Sequence, residues 1–358
     1  MIELADIDHV RSLRLHSQRI TADGRPDDQS ARDVVQHLLA VQAQDLSAAF
    51  WAVGARSTLQ RGDVIAALDM GSVVRSMPVR GTLHLVAAND LPWMLSLTAE
   101  RTLQSAASRR AALGIDGAVI DRAAAALVDA LSGGRSLERS AALAVFDQAG
   151  LRTDGGRGYH LLFHLQQVGL VCWGPTIAAP RPSAAPQQAL VLVDEWVREP
   201  RVLDRDQALA ELALRYVHGH GPVSDRDLAW WAKITLRDAR AAIESVRDRL
   251  VEVVFDGRTL FASRASVESW SGDGASGAHV LPGFDHWLLG YERRHDHVDD
   301  DYADRVMQLA NAVFRPLVVV DGRVVGTWRD DSGHAELDLF EAVAPERLDA
   351  ALSRYASF

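Results

Sequence analysis

The amino-acid sequence predicts an α+β protein on three observations. Runs of helix followed by a two-strand hairpin recur about three times in the first 265 residues. Beyond them the chain alternates apolar and polar residues at strand spacing. Asp-Gly pairs at Asp256-Gly257 and Asp321-Gly322 mark tight turns between strands.

In the first run Ser30 is placed to cap a helix over 30–41, with Val34, Val35, Leu38 and Leu39 inward. A helix is expected before it, over 7–15, and another over 60–69 with Asp63 near its start. Val, Leu and Thr enrich 72–76 and 82–87, two strands joined by Met77-Pro78-Val79-Arg80-Gly81. Helix, helix, helix, hairpin is the element order of a winged helix. Residues 91–148 read as alanine-rich helix broken at Gly114 and Gly133-Gly134. A helix over 158–168 leads to a strand near 169–173. Four of the twelve prolines fall in 174–187, a loop or irregular wing, before a helix near 190–198.

The third run is the clearest. A helix over 205–218 ends at Gly219-His220-Gly221-Pro222, Ser224 caps the next, and a third covers 235–248. Strands over 251–255 and 259–262 flank Asp256-Gly257-Arg258. Helix–turn–helix plus a two-stranded wing is a DNA-binding architecture, with the second helix of the pair offered to a groove. Winged helices also serve as protein-interaction scaffolds, so this pattern by itself leaves DNA contact open. The last part is different: strands at 278–281, 317–320, 323–328 and 334–341 precede a terminal helix from Pro345. That order predicts a small antiparallel sheet or barrel.

Composition narrows the function classes. The chain has 358 residues, 48% of them hydrophobic and 24% charged, enough apolar material for a packed core and against wholesale disorder. One cysteine, Cys172, excludes an internal disulfide and a Cys-x-x-Cys metal clip. No run approaches the ~18 apolar residues of a membrane span, and the acidic N-terminus MIELADIDHV lacks the pattern of a secretion signal. A soluble cytoplasmic protein is expected. Of 38 basic residues all but Lys233 are arginine, a skew that points to a GC-rich genome rather than to phosphate binding.

The net charge of −10 is unevenly distributed. Residues 285–341 hold thirteen acids against six arginines. No acid occurs between Asp69 and Asp90, a span with Arg75, Arg80 and His84. None occurs between Asp154 and Asp194, a span with Arg157, His160, His164 and Arg181. The global charge argues against non-specific coating of DNA, while these spans leave local docking of a polyanion open.

Candidate chemistry is sparse. Gln42-Ala43-Gln44-Asp45 is expected to close the 30–41 helix, with Phe50-Trp51 and Arg56 downstream. Glutamines two apart project alike only where the backbone leaves helical geometry. Each amide carries an acceptor and two donors, so such a pair is suited to hold one water between them and aim it. Arg80 and His84 sit in a turn and its outgoing strand, placed to grip phosphate or a base edge. His286, His295 and His297 lie among Asp285, Asp296 and Asp299–Asp301, but the run reads as a solvated surface loop without a standard metal pattern. His218 and His220 read as turn residues. Cys172, within Val171-Cys172-Trp173, is expected to be buried and inert. No Gly-x-Ser-x-Gly elbow, phosphate loop or dinucleotide fingerprint occurs, and Gly272–Gly277 reads as a loop.

Several segments, in order, resemble a known family. They are Gln42-Ala43-Gln44, Met77–His84, Leu228-Ala229-Trp230-Trp231, Leu281-Pro282-Gly283-Phe284-Asp285 with Leu289-Gly290-Tyr291, and Asp321–Trp328. Together they are similar to the bacterial winged-helix DNA glycosylases of the AlkZ and YcaQ type, and the likeness spans nearly the whole chain. The resemblance implies three tandem winged helix-turn-helix units and a small C-terminal antiparallel β-barrel. On that plan the units are 1–90, 91–200, 201–265 and 266–358.

The family's signature is Gln, an apolar residue, then Gln or Asp. Gln42 and Gln44 match its Gln–Gln version, which implies that they are catalytic, with Asp45 as an auxiliary candidate. By resemblance Arg80 and His84 lie near the cleft, and Arg293, Arg294 and Arg323 are backbone contacts from the barrel. The implied partner is double-stranded DNA carrying alkylated purines. No metal or organic cofactor, no membrane and no obligate protein partner are implied. The implied reaction is monofunctional hydrolysis of N-glycosidic bonds of N7-alkylated purines, including crosslinks or bulky antibiotic adducts. No lysine lies near the glutamines for Schiff-base chemistry. The rival is a non-enzymatic winged-helix DNA-binding protein or regulator, which would protect undamaged sequence on paired half-sites.

Overall fold

The computed structural model describes residues 1–26, 29–177, 186–273, 276–308 and 313–358. Arg181 and most of the proline-rich stretch lie outside these residues, as does part of the Gly272–Gly277 loop. The chain forms two compact units, Met1–Val64 with Leu209–Phe358, and Ile65–Ala208, so the second is inserted in the sequence of the first.

In the first unit a helix Ile7–Ser17 starts at Asp6, which accepts from the His9 N–H. Ser30 caps the helix Ala31–His37 in a reciprocal box with Asp33. This helix is shorter than expected. Leu38, Leu39, Ala40 and Val41 are all buried, and Leu39 turns left-handed at φ 68°. An apolar run buried on every side gives no helical face to extend, and Val41–Gln42 becomes a short strand. Asp45 then caps the helix Leu46–Gly54.

Three helices, ending with Asp225–Ala232 and Leu236–Ser245, precede an antiparallel hairpin of Leu250–Phe255 and Arg258–Ser263. Ser224 caps as expected, again in a box, with Asp227. Asp256 and Gly257, at φ 49° and 66°, make the tight two-residue turn whose twist suits paired strands. A third strand, Ile2–Glu3, joins this hairpin in parallel, with Ile2 opposite Val253. Leu4, Val10 and Leu13 pack there on Val253, Leu260 and Ala262.

The C-terminal strands form an antiparallel sheet ordered His334–Leu339, Arg323–Asp331, Leu317–Val320, Ala278–Leu281. Among the described residues this sheet is open, where a closed barrel was expected. Trp51 and Ala55 of the first part of the chain pack into its core with Trp287, Val318 and Trp328. The terminal helix is Asp349–Ala356.

In the second unit Val73–Val79 and Thr82–Ala87 pair across Arg80-Gly81 at φ 55° and 71°. Arg75 pairs with Trp173, so this hairpin shares a sheet with Val171–Ile177 and Gln187–Leu192. Helices Leu91–Ser105, Ala107–Ala112, Gly117–Leu131, Arg139–Gln148 and Arg157–Gln167 complete it. The helix expected near 190–198 is only Val193–Trp196; residues before it alternate into the sheet, where Leu190 and Leu192 meet Leu127 and Phe146 in the core. Among the described residues no helix is long and apolar enough to cross a membrane.

Candidate active site

The strand at Val41–Gln42 decides the geometry of the glutamine pair. In extended backbone, residues i and i+2 face the same side. Gln42 Nε2 accordingly donates to Gln44 Oε1 at 2.7 Å, and the Gln44 backbone N–H donates to Gln42 Oε1 at 3.3 Å. The side chains are in direct contact, where a bridging water was expected between them. Gln42 is 6% exposed, whereas Gln44 lies at the surface. One amide is thus held by protein and the other meets solvent. Asp45, the auxiliary candidate, accepts from the Ala48 N–H at 3.1 Å. Its carboxylate caps the following helix, where a negative charge also complements the helix dipole.

That helix is anchored firmly at its far end. Trp51 Nε1 donates to the Val280 carbonyl at 2.9 Å. Arg56 meets Asp285 through two bonds, Nη2 to Oδ1 at 2.7 Å and Nη1 to Oδ2 at 2.9 Å, and both side chains are fully buried. Arg56 also donates to the Ala52 carbonyl and to Gln18 Oε1. Gln18 Nε2 in turn donates to the Tyr291 hydroxyl, which donates to the His220 carbonyl. The glutamine pair therefore begins an element whose end is fixed by a buried polar network. Sequence reasoning missed this network, although an arginine ending the apolar stretch Leu46–Ala55 was a signal that a buried acid must answer it.

The histidine and acid run at 285–301 is only partly a surface loop. Asp285, His286, Asp296 and His297 are buried. His286 Nδ1 lies 2.7 Å from His220 Nε2, and His297 Nε2 lies 3.0 Å from Arg14 Nη1. His220 thus ends a helix inside the core instead of sitting in an exposed turn, and His218 packs edge-on against His37. Burial drives the pKa of His220 and His297 well below the ordinary value. Among the described residues no group of three or more His, Cys, Asp and Glu is placed to hold a metal ion. Cys172 is buried, its thiol pushed up to about 12 by burial.

The proposed DNA contacts divide. Arg80 occupies the tip of its hairpin. His84 is 1% exposed, with Nδ1 2.7 Å from the Thr82 carbonyl, so its ring is a core group and offers no surface to DNA. Arg293 is half exposed, with Asp296 3.9 Å away. Arg294 is half-buried over the rings of Trp230 and Phe314. Arg323 is ion-paired to Asp299 at 2.6 Å and to Glu341 at 3.6 Å, and so carries little uncompensated charge toward a phosphate. In the second unit Arg109 and Arg110 stand near His160, and Arg110 near His164, depressing both imidazoles beyond what burial does. The acid-free helix Arg157–Gln167 thus has the Arg109 and Arg110 charges acting on its histidines.

Burial first, then the Arg80 charge, pushes the His84 pKa down to about 3, against the Thr82 carbonyl's support of the cation. Between pH 6.5 and 3 the unfolded chain binds a proton at this position that the folded chain refuses. His84 therefore costs stability as pH falls through that window, and costs nothing above it. Urea unfolding of His84→Gln is expected to lose less stability between pH 7 and pH 4.5 than the parent. Equal losses in both proteins would remove His84 from the account.

The DNA glycosylase AlkZ-like family description matches residues 35–358, and the chain belongs to that family. A curated relative, the interstrand DNA cross-link repair glycosylase of Streptomyces sahachiroi, is 27% identical over 309 residues, covering 84% of this chain and 82% of that protein. The solved structure of the Streptomyces sahachiroi DNA glycosylase AlkZ superimposes with a TM-score of 0.82 at 24% identity, covering all of this chain and 98% of that one. That likeness establishes a shared mixed α+β fold.

Proposed function

We propose that this chain is a monofunctional DNA glycosylase that hydrolyses the N-glycosidic bond of N7-alkylated purines in duplex DNA, unhooking interstrand crosslinks or bulky antibiotic adducts. The observation that carries it is the direct contact of Gln42 with Gln44, one buried and one at the surface. An N7-alkylguanine is cationic, so its departure from C1′ needs no general acid. Water attacks C1′, the C1′–N9 bond breaks with its electron pair going to the base, and the proton of the attacking water passes to solvent. Gln42 and Gln44, joined by that hydrogen bond, orient the water through the Gln44 amide that meets solvent, with the buried Gln42 amide fixing it. This is positioning rather than proton abstraction.

Flipping out of the duplex into a deep pocket does not suit a base joined to both strands. An open protein surface suits it instead, and the backbone contacts we assign are Arg80, Arg109 and Arg110 in the second unit and Arg293 in the first. The cytoplasm is the compartment this reading requires.

Incubation with duplex carrying N7-methylguanine, and separately a nitrogen-mustard crosslink, is expected to yield free modified base and abasic sites. Binding to both duplexes without base release would reject the enzyme and leave a DNA-binding protein.

A further inference from the structure

The first unit contains two adjoining cavities of about 250 and 220 Å³, both lined by Arg25, Trp51 and Arg354. They differ in character. The larger is floored by alanines, among them Ala55, Ala278 and Ala351, together with Val280 and Leu281. The smaller is bordered by Ser57, Thr58, Gln60 and Ser357.

Between the two chambers stand the guanidinium groups of Arg25 and Arg354; the Asp23 charge acts on Arg25 but forms no ion pair with it among the described residues. Among the described residues Arg25 donates to the Arg19 and Ile20 carbonyls, and Arg354 to those of Gly54 and Ser57. Among the described residues neither forms an ion pair, in contrast to the fully buried Arg56, which has Asp285. Burial, then the Arg354 and Arg56 charges, bring Arg25 down to about 9 against the support of Asp23, and burial with Arg56 brings Arg354 down to about 10. Beside them His279 lines the larger cavity, with a buried Nε2 that has no partner. Crowded cations, unused donors and an orphaned ring nitrogen around one cavity describe a cradle for negative charge.

We propose that Arg25 and Arg354 bind the oxyanion head of a small phosphate monoester, whose apolar body lies against Trp51 in the alanine-lined chamber. That chamber exceeds the ~150 Å³ in which a benzene ring is accommodated. The shared chemistry is a phosphate group, and its two sources are a free small molecule and the DNA backbone. The apolar floor favours the free molecule, since a phosphodiester in duplex carries sugars on both sides and no apolar body. The site contains neither Gln42 nor Gln44 and does not rest on their role.

The test is calorimetric titration of the full chain with phenyl phosphate, inorganic phosphate and benzyl alcohol. Phenyl phosphate is expected to bind at one site, at least tenfold tighter than either half alone. Arg25→Gln is expected to weaken it at least tenfold, and Arg25→Lys to recover part of the loss. Arg354→Gln also removes two bonds to helix-end carbonyls, so its thermal unfolding is recorded alongside. Arg25→Gln, which touches only loop carbonyls, decides the case. No saturable binding at millimolar phenyl phosphate, or equal affinity in Arg25→Gln, overturns the site. If undamaged duplex displaces phenyl phosphate and Arg25→Gln weakens the duplex equally, the occupant is backbone phosphate and the small-molecule assignment is overturned.

Discussion

Replacing Gln42 or Gln44 with alanine is expected to lower base release from N7-alkylated duplex by about 10²-fold, with duplex affinity changed less than threefold. A misplacement of about 1 Å in a positioned reactant costs on that order. The two changes act on one unit: Gln42 holds its orientation through Gln44, so the double variant is expected to lose little more than Gln42→Ala alone. Gln44→Asp tests the chemistry more finely. A carboxylate placed there can accept from Gln42 Nε2 and also act as a base, a device that typically adds a factor of about 10² to 10⁴. Activity in Gln44→Asp at or above the parent level supports water activation at this position. Full activity in Gln42→Ala would end the assignment.

Breaking the Arg56–Asp285 pair is expected to be the most destabilising single change in the first unit. Both side chains are fully buried, and the geometry is bidentate. Asp285→Ala leaves a guanidinium in the core with its charge unanswered, at a cost of about 3–5 kcal/mol. Arg56→Met leaves a carboxylate that still accepts from the Trp287 N–H at 2.8 Å, and the cost is expected at the lower end of that range. The double variant Arg56→Met with Asp285→Leu is expected to recover a substantial part, because an apolar pair replaces an ionic one without stranding either charge. Denaturant midpoints of the four proteins close the cycle. Additive losses would mean that the two groups do not depend on each other. Since Arg56 ends the stretch that Gln44 and Asp45 begin, Asp285→Ala is also expected to reduce excision where the protein remains folded.

The local elements were legible in the sequence wherever chemistry and structure share a short span. Ser30 and Ser224 cap because an acid follows three residues later, and Asp256-Gly257 turns because both positions adopt positive φ. What escaped was long-range. Leu38–Val41 carries no periodicity, so nothing local distinguishes a continuing helix from the strand that aligns Gln42 with Gln44. Asp296 and His297 lie within a charged run, and partners far earlier in the chain, Arg14 for both and Arg11 for Asp296, together with Arg258 for Asp296, make them core residues. His84 reads as a surface group because it follows the turn that carries Arg80, yet its ring is packed away. The Gln42–Gln44 pair was visible from residue type and spacing; the ion pair that steadies its helix required the fold.

The strand Ile2–Glu3 lies against Val253 and Val254, and Trp51 reaches the carbonyl of Val280. During vectorial synthesis the segment holding Ile2–Glu3 thus waits for partners translated roughly 12–50 s later, at about 5–20 residues per second. Leu4, Val10 and Leu13 stay uncovered over that interval, so ribosome-bound chains truncated ahead of residue 250 should recruit holdase chaperones, and release should follow emergence of the Leu250–Ser263 hairpin.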